Sequence, residues 1–74
     1  HTYQKEGVGY VSQIFEDGKQ LTAQTSIANV EANAGSYYYD TDTDIVYIHT
    51  SGSTAPSNYT ITNGEDWDSF KSVM

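Results

Sequence analysis

Residues 35–52 read GSYYYDTDTDIVYIHTSG, and this stretch constrains the fold more than any other part of the chain. Three consecutive tyrosines precede a polar segment with aspartate at every second position, and a run of β-branched and aromatic residues follows. Tyrosine, isoleucine and valine favour strands, whereas aspartate between two such runs favours a turn. The stretch therefore predicts a β-hairpin with a polar tip.

The pairing register of this hairpin has two alternatives. One more residue in the loop moves the whole second strand by one position, which exchanges its two faces because side chains alternate along a strand. The longer loop places Ile45 and Tyr47 on the face of the outer two tyrosines. In both registers Tyr38 faces away from its tyrosine neighbours, so a second layer or an interface has to cover it. The shorter loop, at residues 42–43 or 41–44, gives these pairs: Tyr39 with Val46, Tyr38 with Tyr47, and Tyr37 with Ile48.

Residues 10–25, YVSQIFEDGKQLTAQT, predict a second hairpin around the Asp-Gly pair at 17–18. A two-residue type I′ turn needs positive φ at both central positions, and Asp-Gly suits this requirement. The turn sets Ile14 opposite Leu21 on the expected core face and continues the pairing to residue 10 opposite residue 25. Glu16 then pairs with Lys19 at the tip, and the other face carries Val11, Gln13 and Phe15.

A short helical segment of one or two turns is expected between the hairpins, in residues 25–35, with an irregular connection of similar length as the alternative. Ser26 has the chemistry of a helix N-cap, and Gly35 can end the segment with positive φ. Ile27 and Val30 are three residues apart, as on one helix face. The expected fold class is mainly β, a small α+β domain in which this helical connection joins two hairpins, with residues 1–74 forming a single module.

The C-terminal part predicts a loop, a strand and a helix. Residues 50–58 are small and turn-forming, and Pro56 restricts the residue before it to extended conformations, which indicates a surface loop. Tyr59 and Ile61 alternate with threonines and predict a last strand, closed by the Asn-Gly pair at 63–64. The near-helical spacing of Trp67, Phe70 and Met74 allows a short amphipathic C-terminal helix, and the alternative is a segment that packs only within a parent chain.

Composition excludes several classes of function. Ten acidic residues against three basic ones give a formal net charge of -7, which opposes the binding of phosphates, so nucleic acid is not an expected partner. The longest apolar run, residues 45–48, is far shorter than the roughly 20 residues that span a bilayer, and no membrane partner is expected. A chain of 74 residues without cysteine has only a thin core and no disulfide, so support from a partner or a parent chain is expected.

The polar candidates do not form a catalytic set. Asp40, Asp42 and Asp44 offer oxygen ligands at alternate positions, but the glycine and glutamate of a calcium-binding EF-hand loop are missing. We expect them to form the hairpin tip, with a Ca²⁺ site as the weaker alternative and otherwise no cofactor. His49 is expected to be a partly exposed residue at a strand end, and without a second internal histidine or a Gly-flanked serine neither a zinc site nor a catalytic triad is expected. We expect no enzymatic function.

Aromatic residues are the candidates for an interface. Tyrosine combines a rigid apolar ring with a polar end, which suits protein contacts and sugar stacking, although tyrosines also fill small cores. The candidate binding residues are Tyr37, Tyr38, Tyr39, Tyr47, His49, Tyr59 and Trp67.

The order of segments resembles a small β-module of tailed-bacteriophage structural proteins. An Asp-Gly hairpin is followed by SIANVEANAGSYYYD, a short polar loop and IVYIHTSGSTAP. In that module a Gly-small-aromatic-Tyr-Tyr-Asp strand leads to an apolar-Tyr-apolar-His strand and a Ser/Gly/Pro stretch. The resemblance implies a structural part of a tail, baseplate or fibre, located in the virion or outside the cell, which contacts its own copies or other structural subunits. The alternative is an extracellular carbohydrate-binding or adhesive module that uses Tyr38, Tyr47 and His49.

Overall fold

The computed structural model describes residues 1–9, 11–63 and 66–73. Within these ranges the chain is mainly β with one short α-helix, which confirms the expected small α+β class. The elements in chain order are β1 (Tyr3–Glu6), β2 (Phe15–Glu16), β3 (Lys19–Gln20), β4 (Thr22–Ala23), α1 (Ile27–Ala32), β5 (Ser36–Asp40), β6 (Ile45–His49), a 3-10 turn (Pro56–Asn58), β7 (Ile61–Thr62), β8 (Asp66–Trp67) and β9 (Lys71–Ser72).

The described strands form a five-stranded sheet in the order β4-β5-β6-β1-β9 and a four-stranded sheet in the order β3-β2-β7-β8. Neighbouring strands are antiparallel except β4 and β5, which are parallel and are connected through α1. The helix packs against β5 and β6. The hydrophobic core joins the two sheets, and its buried members are Val11, Ile14, Leu21, Tyr37, Val46, Ile48 and Ile61.

The aromatic hairpin has the register of the shorter loop, and the alternative with one more loop residue is wrong. Residues 41–44 form the loop, which closes with the Asp44 amide donating to the Asp40 carbonyl at 2.9 Å. Asp44 has φ of +57°, a left-handed conformation that aspartate tolerates better than most residues. Tyr38 therefore lies opposite Tyr47, on the sheet face away from the core.

The Asp-Gly hairpin is confirmed near its turn and is wrong further out. Asp17 and Gly18 have φ of 51° and 82°, and the Leu21 amide donates to the Ile14 carbonyl at 2.8 Å. Beyond that point β4 leaves the hairpin and pairs with β5. Val11 was expected on the hairpin face opposite to Ile14 and Leu21, but it is buried in the core with them, at 5% exposure. Tyr10, expected opposite Thr25, lies outside the described residues.

The expected pairing of Glu16 with Lys19 at the hairpin tip is confirmed in the backbone register, but the Glu16 carboxylate binds Ser51. Glu16 lies across from Lys19 in the register, but its side chain is on the core face and only 5% exposed. Its carboxylate accepts the Ser51 amide at 2.9 Å and the Ser51 hydroxyl. This contact joins the second sheet to the loop after β6, whereas Lys19 is exposed.

The helical connection is confirmed with its expected cap. The Ser26 hydroxyl accepts the Asn29 amide at 3.1 Å, which satisfies one of the unpaired donors at the start of α1. Gly35 has φ of 74° and leads directly into β5. Val30 is the buried residue of the helix, on the outer side of the five-stranded sheet.

The prediction of a C-terminal helix is wrong. Residues 66–67 and 71–72 are strands, and Ser69 between them has φ of 62°, which a right-handed helix excludes. Trp67 and Phe70 pack against the core from this extended chain. Gly64 of the expected turn and Met74 of the expected helix lie outside the described residues, and β7 is not the last strand.

Two further differences from the sequence predictions concern the loop after β6 and the N-terminal strand. The loop at 50–58 is not entirely at the surface, since Thr50 and Pro56 are buried. The N-terminal strand β1, which no pattern predicted, lies between β6 and β9 near the middle of the larger sheet.

No helix in the described part of the chain is long and apolar enough to cross a membrane.

Candidate functional site

The side of the five-stranded sheet that faces away from the core is only partly covered. Directly opposite residues of antiparallel strands point to the same side, so the pairing of β5, β6, β1 and β9 fixes which side chains lie there. Near α1 this side carries buried residues, whereas further along the strands its side chains are exposed or partly exposed, apart from Tyr47. We call this further part the outer face; it consists of Tyr38, Tyr47, Gln4 and Lys71 in one row and Asp40, Ile45 and Glu6 in the next.

A pair of stacked tyrosines occupies the middle of the outer face. The Tyr38 and Tyr47 ring centroids are 6.1 Å apart with an interplanar angle of 13°. Tyr47 is 7% exposed, and burial raises the pKa of its phenol, with further increases from Asp40, Tyr38 and Glu6. Tyr38, the other ring of the stack, is partly exposed. Tyr38 therefore offers the accessible aromatic surface, and the buried Tyr47 ring stacks against it.

Four of the other candidate aromatic residues serve the core instead. Tyr37 is buried, and its hydroxyl donates to the Ser12 carbonyl at 2.9 Å. Tyr39 packs at the core edge and donates to an Asp44 carboxylate oxygen at 2.6 Å. Tyr59 and Trp67 are partly buried against the same cluster. The sequence expectation therefore combined an outward-facing set with a core-facing set.

The hairpin aspartates are engaged in local hydrogen bonds. Asp40 Oδ1 accepts the Asp42 amide at 2.9 Å, and Asp44 Oδ1 accepts both the Gly9 amide at 2.9 Å and the Tyr39 hydroxyl. That last bond, together with burial and the nearby carboxylates, raises the pKa of Tyr39 to about 12. Over the described ranges, no group of three or more His, Cys, Asp or Glu residues is placed to hold a metal ion.

His49 ends β6 as expected, but it is not partly exposed, because its exposure is only 4%. Its Nδ1 lies 2.8 Å from the Val30 carbonyl oxygen, and its Nε2 lies 2.7 Å from the Ser53 hydroxyl. The His1 ring stacks on it with centroids 5.7 Å apart. A glycan could not reach His49 in this position, so the structure does not bring it together with Tyr38 in a sugar-binding surface.

The pairing of His49 with Ser53 was missed by sequence reasoning. Ser53 directly follows Gly52, so a glycine-flanked serine was present in SGS at residues 51–53. The signal that could have found it is the four-residue spacing from a histidine at a strand end through a turn. Such a spacing is common in proteins, and only the fold shows that the two side chains meet.

Comparisons of this chain with protein-family models, with curated proteins and with solved structures give no match. Its function has to be inferred from the outer face and from the buried His49 with its Ser53 partner.

Proposed function

We propose that this chain is a non-enzymatic structural module of a bacteriophage tail, baseplate or fibre, or of a similar extracellular assembly, and that the outer face is its contact surface. The observation that carries the proposal is the Tyr38 and Tyr47 stack, which lies on the open part of a sheet whose neighbouring Tyr37 and Tyr39 pack against the core. Tyrosine is enriched in protein interfaces, because one ring supplies both apolar area and a polar end.

The charges of the outer face favour a second copy of the same chain as its partner. Asp40 and Tyr38 lie at the β5 side of this face, and Lys71 lies at its β9 side. A two-fold axis parallel to the strands, between β6 and β1, reverses the order of the strands in the facing copy. Lys71 of each copy then lies over Tyr38 and beside Asp40 of the other, which combines cation–π and ionic attraction.

The size of the face sets the strength of this contact. A stable interface uses about 20–30 residues on each side, and the outer face presents far fewer. A single pair of copies should therefore bind weakly, with dissociation at micromolar or higher concentration. In a repeated assembly many such contacts act together, and the effective concentration of neighbouring copies makes weak contacts sufficient.

Sedimentation equilibrium over a concentration series tests the contact. The native chain should associate reversibly, and Tyr38→Ala and Lys71→Glu should each weaken association at least tenfold. Adding Asp40→Lys to Lys71→Glu should restore it, because the charge pair is reversed. The matched control is Lys19→Glu, which makes the same charge change on an exposed residue of the other sheet. Monomer at every concentration, or equal weakening by Lys19→Glu, would contradict the proposed surface.

The assignment to a phage particle has its own test, since tail and capsid genes should flank the gene for this chain. Genes of an unrelated metabolic pathway would count against it. The carbohydrate-binding alternative would rest on Tyr38 alone, because Tyr47 and His49 are buried. Binding on a glycan array that Tyr38→Ala abolishes would favour that alternative over the assembly contact.

A further inference from the structure

Ser53 is held in a rigid turn next to a buried histidine. The buried Thr50 hydroxyl donates to the Thr54 carbonyl at 2.6 Å and accepts the Thr54 amide at 3.0 Å. Within this turn the Ser53 amide donates to the Thr50 carbonyl at 3.0 Å, and Ser53 has φ of 56°. A serine in the left-handed region is strained, and such residues persist only where the surroundings fix them. Ser53 itself is partly exposed.

The histidine is oriented by a third group. The Val30 carbonyl can only accept, so at 2.8 Å it requires a proton on His49 Nδ1. In the neutral ring Nε2 then has a lone pair, and the Ser53 hydroxyl at 2.7 Å donates to it. A nucleophile, a base within hydrogen-bond reach and a group that fixes the tautomer of the base are the features of an activated serine. Here a backbone carbonyl near the end of α1 holds the place that a carboxylate takes in a triad.

We propose that Ser53 is an activated nucleophile that accepts an acyl group from an activated ester, with His49 as its general base. The Ser53 oxygen attacks the ester carbonyl and forms the new bond to the acyl carbon. The ester bond to the leaving group breaks, and the alcohol or phenol leaves with that electron pair. The Ser53 proton passes to His49 Nε2, and the Val30 carbonyl stabilises the positive ring because it accepts from Nδ1. The ring then returns the proton to the leaving group or to water.

This reactivity goes beyond the proposed structural function and does not depend on it. The result is one acyl group attached to one serine, which requires no turnover. Activation by a positioned base is typically worth a factor of about 10²–10⁴ in rate. The serine should therefore react far faster than an exposed serine of the same loop that has no histidine beside it.

The full chain is treated with p-nitrophenyl acetate, and acetylation of each serine is followed by peptide mass spectrometry. Ser53 should be acetylated at least about 10²-fold faster than the exposed Ser57, and unfolding in urea should remove this difference. Ser53→Gly, which suits the positive φ, should keep the circular dichroism spectrum of the native chain while losing the fast acetylation. Ser57→Ala is the matched control and should leave that rate unchanged.

Two outcomes would overturn the proposal. One is a Ser53 rate in the folded chain within tenfold of the Ser57 rate. The other is fast acetylation of Ser53 that persists in urea, since it would then owe nothing to His49. Loss of the sedimentation behaviour tested above would not affect either result.

Discussion

Glu16→Ala tests how the second sheet is attached to the first. The Glu16 carboxylate is nearly buried in β2, and it accepts the amide and the hydroxyl of Ser51, which follows β6 by one residue of loop. Alanine removes both bonds. It also removes the cost of burying a carboxylate, and the two effects on the free energy of unfolding have opposite signs.

The net effect can be worked out from these contacts. Hydrogen bonds to a charged acceptor contribute about 1.5–3 kcal/mol each, so two bonds give an upper bound of about 3–6 kcal/mol. Ser51 is exposed, so its donors regain water when the carboxylate is gone, and the desolvation cost of Glu16 is relieved. We expect a loss of about 2 kcal/mol in the free energy of unfolding. For a domain of this size that lowers Tm by roughly 8–16 °C.

Urea unfolding followed by circular dichroism measures the change. Glu16→Gln keeps one acceptor and should lose about 1 kcal/mol, whereas Lys19→Ala should lose less than about 0.5 kcal/mol because Lys19 is exposed. A double-mutant cycle between Glu16→Ala and Ser51→Ala should give a coupling of about 1 kcal/mol. If Lys19→Ala destabilised the chain as much as Glu16→Ala, Glu16 would act through the hairpin tip and not through Ser51.

Three further predictions concern single contacts. Because the bond to Asp44 raises the pKa of Tyr39 from near 10 to about 12, its stabilisation is complete below about pH 10 and is lost as pH rises through about 12. Absorbance titration should show a late-ionising tyrosine that Tyr39→Phe removes; titration of every tyrosine near pH 10 would contradict this. Ser26→Ala should cost about 1 kcal/mol in urea unfolding through the lost helix cap, and no change would mean that α1 is held by packing alone. Thr50→Val should cost about 1–3 kcal/mol, because a buried hydroxyl with two hydrogen bonds is lost, and a neutral result would show that the turn does not need them.

Features that depend on neighbouring residues could be predicted from the sequence. Asp17 and Gly18 specify a tight turn because their own backbones tolerate positive φ, and the register beside them follows from the turn. The alternation in β5 and β6 required Tyr38 to face away from the core in either register. Ser26 predicted the start of α1, because its hydroxyl can accept a hydrogen bond from a backbone amide of the first helical turn.

Which distant segments pair, and which side chains they bury, could not be predicted from the sequence because both depend on the assembled sheets. Strands of two residues, such as β4 and β9, carry too little pattern to be recognised, and they form because a longer strand already offers hydrogen-bonding partners. Glu16 and His49 are polar residues that local reasoning placed near water. Their burial depends on Ser51 and Val30, which lie far along the chain and reach them only when the sheets and the helix are assembled.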